Sequence, residues 1–143
     1  MILVFDPARY SRAVLAMPTD EDSVQADCLQ ELSRRGIPAW HMDAGGKRTR
    51  KILASRGVAM GAGGQGDIPE GWPDIMGILP GGRILFCECK RPGGYQGVCS
   101  FHPAGKPSED QKTFLINAEA HGAICLVAWS LSDLIEALDS DPK

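Results

Sequence analysis

Gly71-Trp72-Pro73-Asp74-Ile75-Met76-Gly77-Ile78-Leu79-Pro80-Gly81-Gly82-Arg83-Ile84-Leu85-Phe86-Cys87-Glu88-Cys89-Lys90 holds two β-rich runs on either side of a Pro-Gly-Gly turn. The spacing predicts a hairpin, with the apolar run Asp74 to Leu79 pairing against Arg83 to Lys90. Strand side chains alternate, so Ile84, Phe86, Glu88 and Lys90 share one face while Leu85, Cys87 and Cys89 share the other. Glu88 and Lys90 therefore point the same way, roughly 7 Å apart along the strand. Pairing brings Asp74, at the start of the first run, close to the end of the second. Carboxylates and an ammonium on a sheet face otherwise built of Ile84 and Phe86 are unfavourable unless something rewards them. A divalent cation and a phosphate would do so.

Working outward, the flanking segments predict an α/β domain with a mixed central sheet flanked by helices, in the order α-β-β-β-α-β-α. Upstream, Pro18, Thr19 and Asp20 offer cap chemistry for a helix from about Glu21 to Arg35, closed by Gly36 and Pro38. At about 100° per residue, Glu21, Gln25, Cys28 and Leu32 fall in one arc, flanked by Val24 and Leu29. Asp22, Asp27, Gln30 and Glu31 lie off it, which makes Glu21 the inward acid. Ile37 to Met42 reads as a short strand and Asp43 to Gly71 as a glycine-rich, basic loop region with a helical turn around Arg50 to Ser55.

Downstream, Arg91 to Pro107 reads as a further loop, and Ser108-Glu109-Asp110-Gln111 opens a helix in capping-box form. On that helix Gln111, Phe114, Leu115 and Ala118 occupy one arc, and Gly122 ends it. Ala123 to Trp129 is a continuous apolar run that reads as a buried strand. Leu131 to Leu138 reads as a closing amphipathic helix capped by Ser130 or Ser132. Residues 1 to 20 form an N-terminal extension without clear periodicity, and 21 to 143 form one domain, large enough to bury a core without disulfides.

The net charge of -3 argues against a protein that coats nucleic acid. The basic charge is instead local: Lys47, Arg48, Arg50, Lys51 and Arg56 fall in a stretch, Ala44 to Gln65, that has no acidic residue. With Arg91 they are the candidate phosphate contacts, against the alternative of a solvated loop. No run approaches the roughly 18 apolar residues of a membrane span, and Met1 to Phe5 is too short for a signal peptide. A soluble, cytoplasmic protein is expected. Of five cysteines, Cys28, Cys87, Cys89 and Cys125 sit in helical or strand-like runs and read as reduced core residues, whereas Cys99 is loop-borne.

Mg²⁺ and Mn²⁺ prefer hard oxygen ligands, usually one or two carboxylates with water and phosphate completing an octahedron. Asp74 and Glu88 can supply these, and the backbone carbonyl of Cys89 is well placed to add a third oxygen. Such a metal acidifies water and clamps phosphate. Lys90 can orient or deprotonate that water, or neutralise the phosphorane. Glu21 can bind a second metal or hold a metal-bound water, and Gln111 can position Lys90 or a phosphate oxygen. Each feature also has an ordinary structural reading: Asp74 as a strand cap, Glu88 with Lys90 as an edge ion pair, Gln111 as a capping-box residue and Glu21 as first-turn charge.

Taken in order, P-D, a spacer and E-x-K resemble the PD-(D/E)XK nuclease superfamily. The wider set resembles the virus-type replication-repair nuclease (VRR-NUC) domain: Glu21 ahead of Val24-Gln25, Gly71-Trp72-Pro73-Asp74-Ile75, Gly81-Gly82-Arg83, Glu88-Cys89-Lys90-Arg91-Pro92-Gly93-Gly94, and Ser108, Gln111 and Phe114. The likeness spans about Glu21 to Leu138. It implies a restriction-endonuclease-like core, with Glu21, Asp74, Glu88 and the Cys89 carbonyl as metal ligands, Lys90 as the catalytic lysine and Gln111 as an active-site helper. It further implies a Mg²⁺- or Mn²⁺-dependent endonuclease acting on DNA. Stand-alone members are small phage or bacterial proteins, so the expectation is a homodimer cutting branched DNA in the manner of a Holliday-junction resolvase. Sequence-specific or flap-type cutting is the alternative.

Two segments depart from the family pattern. The loop Gly97 to Pro107, with Cys99, Phe101 and His102, is longer than usual, and the glycine-rich Ala59 to Gly66 is atypical. A different class of reading is a zinc-stabilised binding module using Cys87, Cys89, Cys99 and His102, although Cys87 and Cys89 lack the tight C-x2-C knuckle. A nuclease-fold protein that binds DNA without cutting it is a third.

Overall fold

The computed structural model describes residues 20–42, 55–57, 71–96 and 100–141, the side chains of 95, 96, 100 and 101 excepted. The expected extension before Asp20, the basic residues Lys47, Arg48, Arg50 and Lys51, the segment Ala59 to Gly66, and Cys99 all lie outside them.

The central hairpin forms as the turn chemistry predicts. Strand β2 (Ile75–Ile78) runs antiparallel to β3 (Ile84–Cys89), with Ile75 opposite Cys87 and Ile78 opposite Ile84. Gly81 and Gly82 both take positive φ in the connection, a conformation glycine adopts without a Cβ penalty. On the far side of β2, β1 (Ala39–His41) adds antiparallel, with Trp40 opposite Met76. Strand β6 (Ile124–Ala128) lies parallel to β3 on its other side, giving a mixed four-stranded sheet in the order β1-β2-β3-β6.

Helix α1 (Glu21–Arg34) is capped by Asp20, whose carboxylate accepts from the Ser23 amide at 2.7 Å, and is followed by Gly36 at φ 70°. Its inward residues Val24, Cys28 and Leu32 are wholly buried and pack with Ile75, Leu85, Cys87, Cys89, Leu126 and Ala128 on one sheet face. Helix α3 (Leu131–Asp139), with N-cap Ser130, closes the same layer through Leu134. The opposite face packs Phe86, Cys125 and Val127 under Leu115 of helix α2 (Glu109–Ala120). The alternation expected along β3 is therefore observed, with Ile84 and Phe86 facing α2 while Leu85, Cys87 and Cys89 face α1.

Two details differ from the expectations. Arg91 to Pro107 is more than a loop, because β4 (Gly94–Gln96) and β5 (Ser100–His102) pair as a small antiparallel ribbon with Tyr95 opposite Phe101. Three-residue strands beside Gly and Pro carry too few residues to show a period. Glu31 is buried rather than outward, since Arg34 and Arg35 both bind its carboxylate and Arg35 also reaches Asp139 of α3 at 2.9 Å. Those guanidinium bonds hold the Glu31 carboxyl down at about 2. Among the described residues, no helix is long and apolar enough to cross a membrane.

Candidate active site

The register of the hairpin sets the site. With Ile75 opposite Cys87, one step back along β2 and one step on along β3 place Asp74 across from Glu88. Directly opposite residues project from the same face, so both carboxylates stand on the α2 side of the sheet. Pro73 is fully buried and anchors the entry to β2, while the Asp74 carbonyl accepts from Met42 at 2.8 Å. The Asp74 carboxylate turns toward the end of β3, where its Oδ2 accepts from the Cys89 amide at 2.9 Å. The Cys89 amide thus adjoins the Asp74 carboxylate, while the Cys89 side chain points into the α1 core.

Glu21 is the first residue of α1 and joins the pair from the side. One carboxylate oxygen each from Glu21, Asp74 and Glu88 lie within 4.8 Å of one another. Only Glu88 of the three is fully buried, at 1% exposure. Its Oε1 accepts from Lys90 Nζ at 3.0 Å and from Gln111 Nε2 at 2.7 Å, whereas its buried Oε2 has no hydrogen-bond partner. An orphaned buried carboxylate oxygen is costly, and hard-cation ligation is one way to satisfy it.

Gln111 fills two roles that the sequence left as rivals. Its Oε1 accepts from the Ser108 amide at 2.7 Å and its own amide donates to Ser108 Oγ at 3.1 Å, completing the capping box. The other end of the same amide holds Glu88. Its contact is therefore with a carboxylate rather than with Lys90. Gly71 fixes the approach: at φ 84°, a Cβ there would run into the Asp110 carbonyl and lie 2.7 Å from the Gln111 nitrogen. Only glycine lets the chain before Pro73 press against the start of α2.

An aromatic cluster lies on the same face of the sheet as Glu88. Trp72, Phe86 and Phe114 contact one another with ring centroids 4.9–5.4 Å apart. Burial is the largest influence on Glu88, followed by the neighbouring Asp74 charge, and Lys90 offsets them only in part; its carboxyl is pushed up to about 8. Burial likewise raises Glu21, opposed by Lys90 and reinforced by Asp74. With all three acids ionised, the cluster would carry two net negative charges beside the one ammonium, and a divalent cation would balance them.

Sequence reasoning missed the support behind Lys90. Gly105 packs against its stem so closely that a Cβ there would lie 3.4 Å from Lys90 Cβ and 3.3 Å from the Arg91 nitrogen. That glycine is held by Gly105 N–H donating to the Arg91 carbonyl at 2.9 Å and by Trp129 Nε1 donating to the Gly105 carbonyl at 2.7 Å. No local signal marks these residues, because they meet only when β6 is laid beside β3.

Of the proposed phosphate contacts, Arg56 is exposed, and Arg91 is exposed with one guanidinium nitrogen donating to the Pro103 carbonyl at 2.8 Å. The zinc arrangement of Cys87, Cys89, Cys99 and His102 requires correction. Cys87 and Cys89 turn into the core and meet Cys28, and His102 joins no ligand group among the described residues. The reason is the strand period, which sends both cysteines to the face opposite Glu88. No protein-family model matches the chain, and no curated protein or solved structure matches it.

Proposed function

We propose that this chain is a metal-dependent endonuclease acting on DNA, with the Glu21, Asp74, Glu88 and Lys90 cluster as its active site. One observation carries the reading: a fully buried glutamate with an unpartnered oxygen shares a 4.8 Å cluster with two further carboxylates, beside a lysine. The donor set is all oxygen, which suits Mg²⁺ or Mn²⁺ and disfavours softer ions. The fold supports the PD-(D/E)XK reading in so far as a mixed sheet presents the acid of P-D and the E-x-K strand side by side.

Asp74, Glu88 and the Cys89 carbonyl would hold the cation, with Glu21 as a further ligand or as the acceptor for a water. A cation held there supplies positive charge to a phosphodiester and makes a coordinated water easier to deprotonate. Lys90 lies 3.0 Å from Glu88, close enough to share the site, and its ammonium is suited to orienting the attacking water or to neutralising charge on the phosphoryl oxygens. Gln111 holds Oε1 of the Glu88 carboxylate, so that Oε2 is the oxygen left without a partner and available to ligate. The burial of Glu88 restricts water around it and so strengthens each of these interactions.

Branched DNA is the preferred substrate on this reading, a four-way junction above all, cut by a homodimer. The VRR-NUC resemblance is the support for both statements. Cleavage of labelled four-way junction, 5′ flap, splayed-arm and plain duplex DNA, with Mg²⁺, Mn²⁺ or EDTA, tests the proposal. Symmetric metal-dependent junction cutting by the wild type, with Lys90→Ala binding but not cutting, is the expected result. No cleavage of any substrate with either metal would sink the enzyme reading, and light scattering at the mass of one 15.4 kDa chain would favour flap-type cutting over paired incision.

A further inference from the structure

Glu88 separates two chemistries on one strand. Its carboxylate faces α2, whereas Cys87 and Cys89 on either side of it face α1, where both meet Cys28. All three cysteines have no exposed surface and carry free thiols. Cys87 Sγ and Cys89 Sγ stand 3.9 Å apart, and all three sulfurs lie within 4.8 Å of one another. Sulfurs sharing one cation at the usual zinc-sulfur length of about 2.3 Å stand about 3.8–4.0 Å apart. The cluster is thus close to the dimensions of a coordination site, in a layer otherwise built of Val24, Leu32, Ile75 and Leu85. Among the described residues no fourth Cys, His, Asp or Glu joins it.

We infer that Cys28, Cys87 and Cys89 form a structural site for one soft d¹⁰ cation held by three sulfurs. Thiolates select Cu⁺ and Zn²⁺-like ions and bind Mg²⁺ poorly, so the two faces of β3 would sort cations by ligand hardness. The sulfur ligands bind as thiolates, releasing their protons to solvent. This inference stands whether or not the carboxylate face cuts DNA.

Its structural consequence is a clamp between α1 and β3. Cys28 lies two helical turns after Glu21, and residues at that spacing fall near one face of the helix. A metal joining Cys28 to Cys87 and Cys89 would therefore fix how far Glu21 reaches toward Asp74 and Glu88.

Reduced, metal-free protein titrated with Cd²⁺, and in parallel with Cu⁺, tests the inference, with metal added both to the folded chain and during refolding. The expected result is an ultraviolet sulfur-to-metal charge-transfer band saturating at one equivalent, kept in Cys99→Ser and Cys125→Ser and lost in Cys28→Ser. X-ray absorption of the loaded wild type should give three sulfur neighbours, which decides the matter even if Cys28→Ser fails to fold. Absence of the band with both metals under both protocols overturns the inference, as does a band that survives Cys28→Ser or disappears in Cys99→Ser. A coordination shell of oxygen and nitrogen alone overturns it as well.

Discussion

Glu88→Gln separates the stability of this fold from its proposed chemistry. In the metal-free protein the Glu88 carboxyl stands at about 8 against an ordinary 4.5, chiefly because it is buried. Between those values the native state holds a proton that the unfolded chain has released. Stability should therefore fall as pH rises from about 4.5 to about 8 and level off above that. The full shift corresponds to about 5 kcal/mol at about 1.4 kcal/mol per pH unit, and water entering around an ionised carboxylate would reduce it to about 2–4 kcal/mol.

Glutamine keeps the shape, and its carbonyl can accept from Gln111 and Lys90 as Glu88 Oε1 does, but it never ionises. Urea or thermal unfolding with EDTA across pH 5 to 9 should give near-equal stability for variant and wild type at the acid end. At the alkaline end the variant should be more stable by about 2–4 kcal/mol, or about 6–12 °C in Tm. Glu21 is raised too, so the variant keeps a shallower slope of the same sign. Mn²⁺ should close the gap by stabilising the wild type alone, the more strongly as pH rises toward 8. Parallel profiles within about 0.5 kcal/mol at every pH, with Mn²⁺ acting on both proteins alike, would refute the reasoning.

Lys90→Ala should lower cleavage at least about 100-fold while leaving the affinity for junction DNA within a few-fold, measured by single-turnover kinetics and gel shift. Gln111→Ala removes both the bond to Glu88 and half of a capping box; a loss of about 1–2 kcal/mol in urea unfolding and a drop of about 10- to 100-fold in cleavage are expected, and unchanged cleavage would limit Gln111 to its capping role. Gly105→Val should displace the Lys90 stem and reduce cleavage strongly in a protein whose circular dichroism is native, whereas Gly105→Ala, at 3.3–3.4 Å from its neighbours, should be much milder. Neutralising Lys47, Arg48, Arg50 and Lys51 together should weaken DNA binding and flatten its salt dependence, and an unchanged slope of affinity against salt would remove that segment from the interface.

The hairpin, the three helices with their caps and the buried fourth strand were legible because each rests on local rules. Alternation along Ile84 to Cys89 follows from the pleat, Ser108 with Gln111 follows from reach over one helical turn, and Gly36 and Gly122 end helices because they accept positive φ. That Asp74 meets the end of the second strand followed from the hairpin; that it stands across from Glu88 came from the register. Gln111 was only half legible: the capping box is local, but its bond to Glu88 spans 23 positions. Gly105 and Trp129 carried no sign of their place behind Lys90.

The sequence by itself determined which residues share a strand face or a helical arc, since that depends only on backbone geometry over a few residues. Tertiary structure decided which of those faces meet. It laid α1 against the cysteine side of β3, so that Cys28, Cys87 and Cys89, each read from the sequence as a reduced core residue, came together. On the opposite side it buried Glu88 beside Asp74, which raises the Glu88 carboxyl to about 8. Burial depends on everything packed around a group, and residues distant in the chain become neighbours only through the fold.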